Sequence, residues 1–422
     1  MEKIRVGIAG LGIVGASVYK ILGLNPSQFN IVAVSARDKL KNRELDFKAI
    51  AWVDNPIDLA MRDDIDVVVE VMGGDDDPAY SLVKKSLQHK KSVVTANKAL
   101  LAKHGLELAR LAEENNVGLY FEAAVAGGIP IIKMIREGLA ANTISAIYGI
   151  LNGTCNYILT TMEQTGQSFN GVLADAQKLG YAEADPSLDV DGGDTAHKLS
   201  ILTSLAFGCV PDLESMSVAG IRAVTIEDIR VADELGYKIK LVGQAQISEG
   251  MKILHMVSPS LVPKSSPMAH VGGVLNAVLT EGHLVGQSFV AGRGAGGLPT
   301  ASAVVADLID ISRGTKICAF GKPVTALSQS PKVSFADWQG EFYVRIGVKD
   351  EAGVIADIAP ILRDSNISIE SLIQKGHATE DPVSIIIMTH DTNGQDVMTA
   401  MNKIATLKCV LEKPFIMPVL KI

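Results

Sequence analysis

The tightest constraint on this chain lies near its start, where Ile4-Arg-Val-Gly-Ile-Ala9 runs directly into Gly10-Leu-Gly-Ile-Val-Gly15. The apolar run reads as a short buried strand, and Ala16 to Leu22 continue as a helix. In such a turn the first glycine permits the tight bend and the second lets a pyrophosphate approach the backbone. The third lets helix and strand pack closely. The helix N-terminus then offers free amides and a positive dipole end to phosphates. A lone GxGxxG is weak evidence; the strand before it and the helix after it are the context that points to a dinucleotide site rather than a merely structural turn. Gly10, Leu11, Gly12, Ile13, Val14 and Gly15 are its expected cofactor contacts.

The following strand, Ile31-Val-Ala-Val34, ends on Ser35, where an NAD-binding chain would place a carboxylate for the ribose 2′-hydroxyl. Arg37 and Lys39 come next, and an arginine there accommodates a 2′-phosphate, so NADP(H) is favoured over NAD(H). The bland reading is that Arg37 simply faces water. Further strands are expected at Val67–Val71, Ser92–Thr95 and Gly118–Phe121, alternating with helices near Tyr80–Gln88 and Leu106–Asn115. That alternation is a doubly wound parallel α/β sheet. Gly73-Gly74 and Thr95-Ala-Asn-Lys98 follow strand C-termini, where open α/β sheets bind ligands, which places Lys98 near the nicotinamide end; an ordinary surface lysine is the alternative.

At 422 residues the chain exceeds the reach of one core, so two or three domains are expected. A net charge of −8 without a basic run argues against nucleic acid as a partner. The four cysteines are far apart, without disulfide or metal spacing, which suits a reducing compartment. The start shows no basic-then-apolar leader, and no apolar run reaches membrane-spanning length. A cytoplasmic enzyme with no membrane association is expected.

The densest chemistry lies in Gly180-Tyr-Ala-Glu-Ala-Asp-Pro-Ser-Leu-Asp-Val-Asp-Gly-Gly-Asp-Thr-Ala-His-Lys-Leu199. Glu183, Asp185, Asp189, Asp191 and Asp194 precede Lys198, and Ile201, Leu202 and Leu205 share the helix side of that lysine. An ammonium on an apolar face beside carboxylates suits binding and proton transfer; a solvated acidic loop before an ordinary helix is the alternative. Around it, Ser145–Ile150, Val242–Ile247 and Met251–Val257 read as strands and Thr154 begins a helix. Residues 131–290 thus form an α+β substrate-binding and dimerisation domain. A second glycine-rich loop, Ala291 to Thr300, precedes a helix at Ala301–Ser312. It brings the chain back against the cofactor or serves as a hinge, with Gly296 and Gly180 taken as further cofactor contacts. Gly314 to Lys332, with two prolines, reads as a linker. Beyond it, strands at Glu341–Val348, Ile367–Gln374, Pro382–His390 and Cys409–Val419 alternate with helices at Gly353–Asp364 and Val397–Leu407. This is the β-α-β-β-α-β order of a ferredoxin-like module.

With these residues in view, the chain resembles homoserine dehydrogenases of the form that carries a C-terminal ACT domain. The likeness spans nearly the whole length. It is most specific at Gly180–Leu199, Ile150-Leu-Asn-Gly-Thr-Cys-Asn-Tyr-Ile158, Val94-Thr-Ala-Asn-Lys98 and Phe121-Glu-Ala-Ala-Val-Ala-Gly-Gly-Ile-Pro130. Cys155 and Ala124 stand where Thr or Ser, and Ser, are frequent. The resemblance implies reversible NAD(P)H-dependent reduction of L-aspartate 4-semialdehyde to L-homoserine, in threonine, methionine and isoleucine biosynthesis. It implies Lys198 as proton donor, Asp194 and Glu183 as substrate-orienting carboxylates, and Lys98 between cofactor and substrate. It also implies a sodium ion at Glu122, Val125, Gly127 and Ile129, whose hard oxygen donors suit a monovalent cation.

An ACT module implies an amino-acid effector, threonine first, or simply a subunit contact; a homodimer or homotetramer is expected. The resulting division is a Rossmann domain at 1–130 completed by about 291–320, the substrate domain at 131–290, a linker at 321–340 and the ACT domain at 341–422. Two rivals stay open: a non-catalytic nucleotide and amino-acid sensor, and an NADP-dependent dehydrogenase of another small amino or hydroxy acid.

Overall fold

The computed structural model describes residues 3–248, 252–329, 331–375 and 383–422. The chain divides into two compact units. One comprises Met1–Gly153, Asp194–Glu214 and Val274–Ser330, the other Thr154–Gly193, Ser215–Gly273 and Pro331–Ile422.

The first unit begins with β1 (Ile4–Ala9), α1 (Ile13–Gly23), β2 (Phe29–Ser35) and β3 (Ala51–Trp52). It continues through β4 (Val67–Glu70), α2 (Ala79–Gln88), β5 (Ser92–Thr95), α3 (Lys98–Glu114) and β6 (Leu119–Tyr120). The six strands are parallel in the order β3-β2-β1-β4-β5-β6, the doubly wound arrangement the glycine turn predicts. Their near-continuous valine and isoleucine runs are buried because helices cover both faces.

Helix α3 starts eight residues before the expected Leu106, because the Asn97 side chain caps it by accepting from the Leu100 amide at 3.1 Å. Lys98 is therefore the first helical residue. The helix Gly297–Ser312 likewise begins before the expected Ala301, with Pro299 in its first turn. Its Ala301, Val304 and Leu308 share a core with Val6, Val18 and Leu22. The stretch after it is held down: the Tyr120 hydroxyl donates to the Thr315 carbonyl, and Phe320 packs 5.6 Å from Phe121.

Ile144–Ile150 pairs antiparallel with Leu275–Gly282, which forms a hairpin with Gly286–Arg293. This hairpin escapes the sequence reading. Its second strand, GQSFVAGR, is too rich in Gly and polar residues to show apolar alternation.

In the second unit two long antiparallel strands, Tyr237–Ser248 and Lys252–Pro263, extend well past the expected Val242–Ile247 and Val257. Met251 lies outside the described residues. The C-terminal strands Phe342–Val348, Ile369–Lys375, Val383–Thr389 and Phe415–Pro418 form one antiparallel sheet. Its order is second, third, first, fourth, the ferredoxin-like topology. Pro382 lies outside the described residues. The last strand is shorter than the expected Cys409–Val419, since Pro414 has no N–H to pair and regular pairing begins at Phe415.

This sheet shares a core with the long strand Lys252–Pro263, through Leu254 and Met256 packed with Phe342, Val344 and Ile346. A buried polar lock reinforces it. Asp228 lies in the helix Ile226–Glu234, whose Thr225 cap donates to Asp228 Oδ2 through its amide and its hydroxyl, both at 2.8 Å. Asp228 Oδ1 accepts from the Tyr343 hydroxyl at 2.7 Å and from Arg345 Nε at 2.9 Å. Burial, and then Asp228, push the Tyr343 phenol far above its ordinary value. Arg345→Met would leave a fully buried carboxylate without its cation. Unfolding free energy is expected to fall by about 3–5 kcal/mol, read as a lower urea midpoint at pH 7; an unchanged midpoint would refute the lock.

Candidate active site

The C-terminal ends of β1, β4 and β5 carry three loops of the first unit. At β1, Gly10 has φ +98°, and a Cβ there would lie 2.6 Å from the Val71 carbonyl oxygen. A Cβ on Gly15 would sit 1.9 Å from the Gly10 carbonyl oxygen, so neither position tolerates a side chain. Gly12 faces open space, and no side chain caps the start of α1. Leu11 is buried, Ile13 is exposed and Val14 lies at the helix start. The turn thus leaves backbone amides free on its open side, which fits a dinucleotide pyrophosphate.

Arg37 is exposed beyond β2. Two further cations flank Trp52 of β3: Lys39 lies 5.9 Å and Arg43 5.8 Å from the ring centre. Arg43 Nε also donates to the Leu11 carbonyl at 3.1 Å, a contact across 32 residues that spacing does not reveal. The nearby acid, Asp38, is engaged by the loop amides of Leu40 and Lys41. Gly296 caps the helix Gly297–Ser312 at φ +123°. A Cβ on Gly297 would strike Ser17 Oγ at 2.7 Å and Ile13 Cγ2 at 2.9 Å, so this glycine-rich loop packs against the start of α1.

Lys98, Asp194 and Lys198 come together. Lys198 Nζ donates to Asp194 Oδ2 at 2.6 Å and to the Leu151 carbonyl at 2.7 Å. Lys98 Nζ lies 3.2 Å from Asp194 Oδ1, and Asn152 Nδ2 donates to Asp194 Oδ2 at 2.9 Å. The Lys198 side chain is 12% exposed, with Ile201, Leu202 and Leu205 buried on its side of the helix Gly193–Phe207. Burial raises the Asp194 carboxyl, but the Lys198 and Lys98 ammoniums and the bonds from Lys198 and Asn152 outweigh it and hold the group well below the usual range. Two ammoniums thus face one carboxylate, a cluster with a surplus positive charge. An ammonium has three hydrogens, and among the described residues Lys198 commits two, leaving one to meet an oxygen.

Asn152 and His197 belong to this cluster and escape assignment from sequence. Burial, then Lys98, lowers the His197 imidazole, which keeps the ring neutral. A cap-type signal could have flagged Asn97; nothing local flags Asn152, 42 residues from Asp194.

Glu183 and Gly180 lie in the second unit and are exposed. Gly180 adopts φ +77°, and the Glu183 and Ala184 carbonyls accept from Gln177 Nε2 at 3.0 and 3.3 Å. Asp185 accepts from the Ser187 amide, and Asp191 pairs with Arg222 at 2.5 Å, so these two acids shape the loop.

Glu122 is 2% exposed, and its Oε1 and Oε2 accept from the Ile132 and Lys133 amides, each at 2.9 Å. Burial, then Asp307, pushes its carboxyl up to about 7, while burial pushes Asp307 up to about 6. Ala126 and Gly127 are consecutive left-handed residues at φ +53° and +49°, in a buried turn that includes Val125 and Ile129. Among the described residues no three His, Cys, Asp or Glu are grouped to hold a metal. A cation would therefore rest on Glu122 and backbone carbonyls, a donor set that fits a hard monovalent ion.

Comparisons with known proteins bear on what this arrangement serves. The family model for homoserine dehydrogenase matches residues 130–309, that for the homoserine dehydrogenase NAD-binding domain residues 10–122, and that for the ACT domain residues 342–409. A homoserine dehydrogenase of Neisseria gonorrhoeae is 42% identical, covering 99% of this chain and 98% of the relative. The chain belongs to the homoserine dehydrogenase family. A homoserine dehydrogenase of Pseudomonas aeruginosa is also 42% identical, over 97% of both chains. The crystal structure of the Thiobacillus denitrificans homoserine dehydrogenase superposes with a TM-score of 0.93 at 41% identity, covering 99% and 98% of the two chains. A hyperthermophilic archaeal homoserine dehydrogenase in complex with NADPH superposes at 0.66 with 29% identity, over 75% of this chain and all of that one.

The chain is therefore an NAD(P)-binding homoserine dehydrogenase of amino-acid biosynthesis with a C-terminal ACT domain. Membership removes both the sensor and the other-substrate readings. Among the described residues no helix is long and apolar enough to cross a membrane.

The charge coupling in this homoserine dehydrogenase has a pH signature. The folded Asp194 carboxyl titrates below its unfolded value near about 4, so its stabilisation is full above that pH and is lost as acid reaches the folded value. In Lys198→Met burial gains weight and Asp194 titrates higher, so the variant's penalty is relieved as the group protonates. The melting-temperature gap between wild type and variant should be widest near pH 7 and narrow toward pH 3. A gap independent of pH would contradict the coupling.

Proposed function

We propose that this enzyme reduces L-aspartate 4-semialdehyde to L-homoserine, and the reverse, with Lys198 giving its free N–H proton to the aldehyde oxygen. The observation that carries this reading is the Lys98–Asp194–Lys198 cluster with its surplus positive charge. Bound NADPH supplies the hydride that forms the new C–H bond. As the carbonyl electron pair moves onto oxygen, negative charge develops there. A positioned ammonium both stabilises that charge and supplies the proton. Lys198 is left as a neutral amine once its proton has moved to the substrate oxygen. Asp194 holds both lysines in register, Glu183 takes the substrate ammonium, and Lys98 stands between cofactor and substrate.

The glycine turn at 10–15, with Gly180 and Gly296, holds the dinucleotide. NADP(H) is favoured over NAD(H) because Ser35 ends β2 and Arg37 follows. Glu122, Val125, Gly127 and Ile129 take a sodium ion, which the acidic surplus of Glu122, Asp307 and Asp310 around Lys133 supports. The ACT domain at 341–422, reached through 321–340, binds an amino-acid effector, with threonine first to be tried. The remaining division is a nucleotide domain at 1–130 completed by about 291–320 and a substrate domain at 131–290. A cytoplasmic homodimer or homotetramer completes the reading.

Homoserine-dependent NADP reduction at alkaline pH, followed at 340 nm as in any pyridine-nucleotide assay, tests the assignment directly. Lys198→Ala should lower kcat by about 10²-fold or more while leaving NADPH affinity nearly intact; normal turnover would sink Lys198 as the donor. Arg37→Ala should raise KM for NADPH about tenfold and KM for NADH far less. An unchanged ratio between the two coenzymes would refute the role of Arg37.

A further inference from the structure

At the C-terminal end of β4 sits Glu70, a carboxylate with no exposed surface and, among the described residues, no cation bonded to it. Its Oε1 accepts from the Met72 amide at 2.8 Å and from the Gly73 amide at 3.4 Å. Its Oε2 accepts from the Thr95 hydroxyl at 2.6 Å. That hydroxyl in turn accepts from the Asn97 amide at 3.0 Å, so its own hydrogen is directed to Glu70 and the direction of the chain is fixed. Asn97 completes the circuit. Its Nδ2 donates to the Gly74 carbonyl and its Oδ1 accepts from the Leu100 amide at the start of α3. The next residue along, Lys98, faces Asp194. Gly73 and Gly74 both have left-handed φ, and a Cβ at either would meet nothing within 4 Å.

We propose that Glu70 is the positioning residue for Lys98, tying the Met72–Gly74 loop to the cap of α3 through Thr95 and Asn97. It touches neither substrate nor cofactor and acts by setting where the Lys98 backbone begins its helix. An apolar residue would fill the space but could not order the two loop amides and the Thr95 hydroxyl at the end of β5. Burying a carboxylate that is held by hydrogen bonds without a paired cation is costly, and burial does push this carboxyl upward. The inference rests on the reading of Lys98 as acting between cofactor and substrate.

The test compares Glu70→Gln, Thr95→Val, Thr95→Ser and Lys98→Ala, with kcat expressed per NADPH-binding site counted by NADPH fluorescence titration. Counting sites removes any loss of folded protein from the rate. Glu70→Gln and Thr95→Val should each lower kcat per site about tenfold, in line with the cost of small misplacements, with NADPH affinity held within about twofold. Thr95→Ser, which keeps the hydroxyl relay, should retain the wild-type rate. If Glu70→Gln does not fold, the Thr95 pair decides alone. A wild-type kcat in Thr95→Val, equal damage in Thr95→Ser, or a fall in NADPH affinity matching the fall in kcat would each overturn the proposal. A normal kcat in Lys98→Ala would instead sink the reading of Lys98 itself. A crippled Lys98→Ala beside an unharmed Thr95→Val would sink only the positioning role.

Discussion

One ionised carboxylate in the protein interior gathers the charged side chains of the candidate site. Asp194 sits in the first turn of its helix, where the positive end of the helix dipole favours it. Burial alone would drive it toward the neutral acid. Three donors prevent this, and each comes from a different part of the chain: Lys198 on the same helix, Lys98 at the head of α3, and Asn152 after the strand Ile144–Ile150. The carboxylate thus fixes two flexible lysines in one place. Without it, two ammoniums would repel each other at close range; with it, they converge while one positive charge remains for an electron-rich oxygen. Removing either lysine takes away a charge that holds the carboxylate in its ionised form.

The sheet explains why these pieces arrive together. Parallel strands all end on one side, so β1, β4 and β5 deliver the glycine turn, the Gly73–Gly74 loop and Lys98 to a common edge. The glycine turn is set by steric exclusion, since a Cβ at Gly10 or Gly15 would collide with backbone oxygens. The Lys98 end is set by hydrogen bonds instead. Steric and polar devices therefore divide this edge of the sheet: close backbone packing at the glycine turn, and a hydrogen-bonded carboxylate beside the start of α3.

This division also governs what the sequence makes legible. The glycine turn can be read because its constraint is local, within six residues and with a strand and helix on either side. Lys198 can be read because Ile201, Leu202 and Leu205 repeat at helical spacing. Glu70 looks like one polar residue in a valine run until its partners 25 residues away are known. Asn152, Arg43 and Asp228 act through contacts 42, 32 and 115 to 117 residues apart, for which no periodicity exists. Element ends failed for a related reason. Asn97 moves the start of α3 by eight residues with a single side-chain bond, and the Leu275–Arg293 hairpin is stabilised by pairing that its composition does not announce.

The second unit uses the same device for a different end. Asp228 is the N3 acid of the capping box at Thr225 and also the acceptor for Tyr343 and Arg345 on the first strand of the C-terminal sheet. A single carboxylate is therefore both part of a helix start and part of a sheet contact. A shift of the strand Phe342–Val348 must pull on the cap of the helix Ile226–Glu234 or break a buried ion pair. The Ser384 hydroxyl repeats the linkage one strand over, donating to Glu227 at 2.5 Å. Apolar packing through Leu254 and Met256 would tolerate sliding by a fraction of an ångström; directional bonds to a buried charge do not. The C-terminal sheet is thus keyed to this helix in one register. Displacing that sheet is opposed by directional bonds to a buried charge.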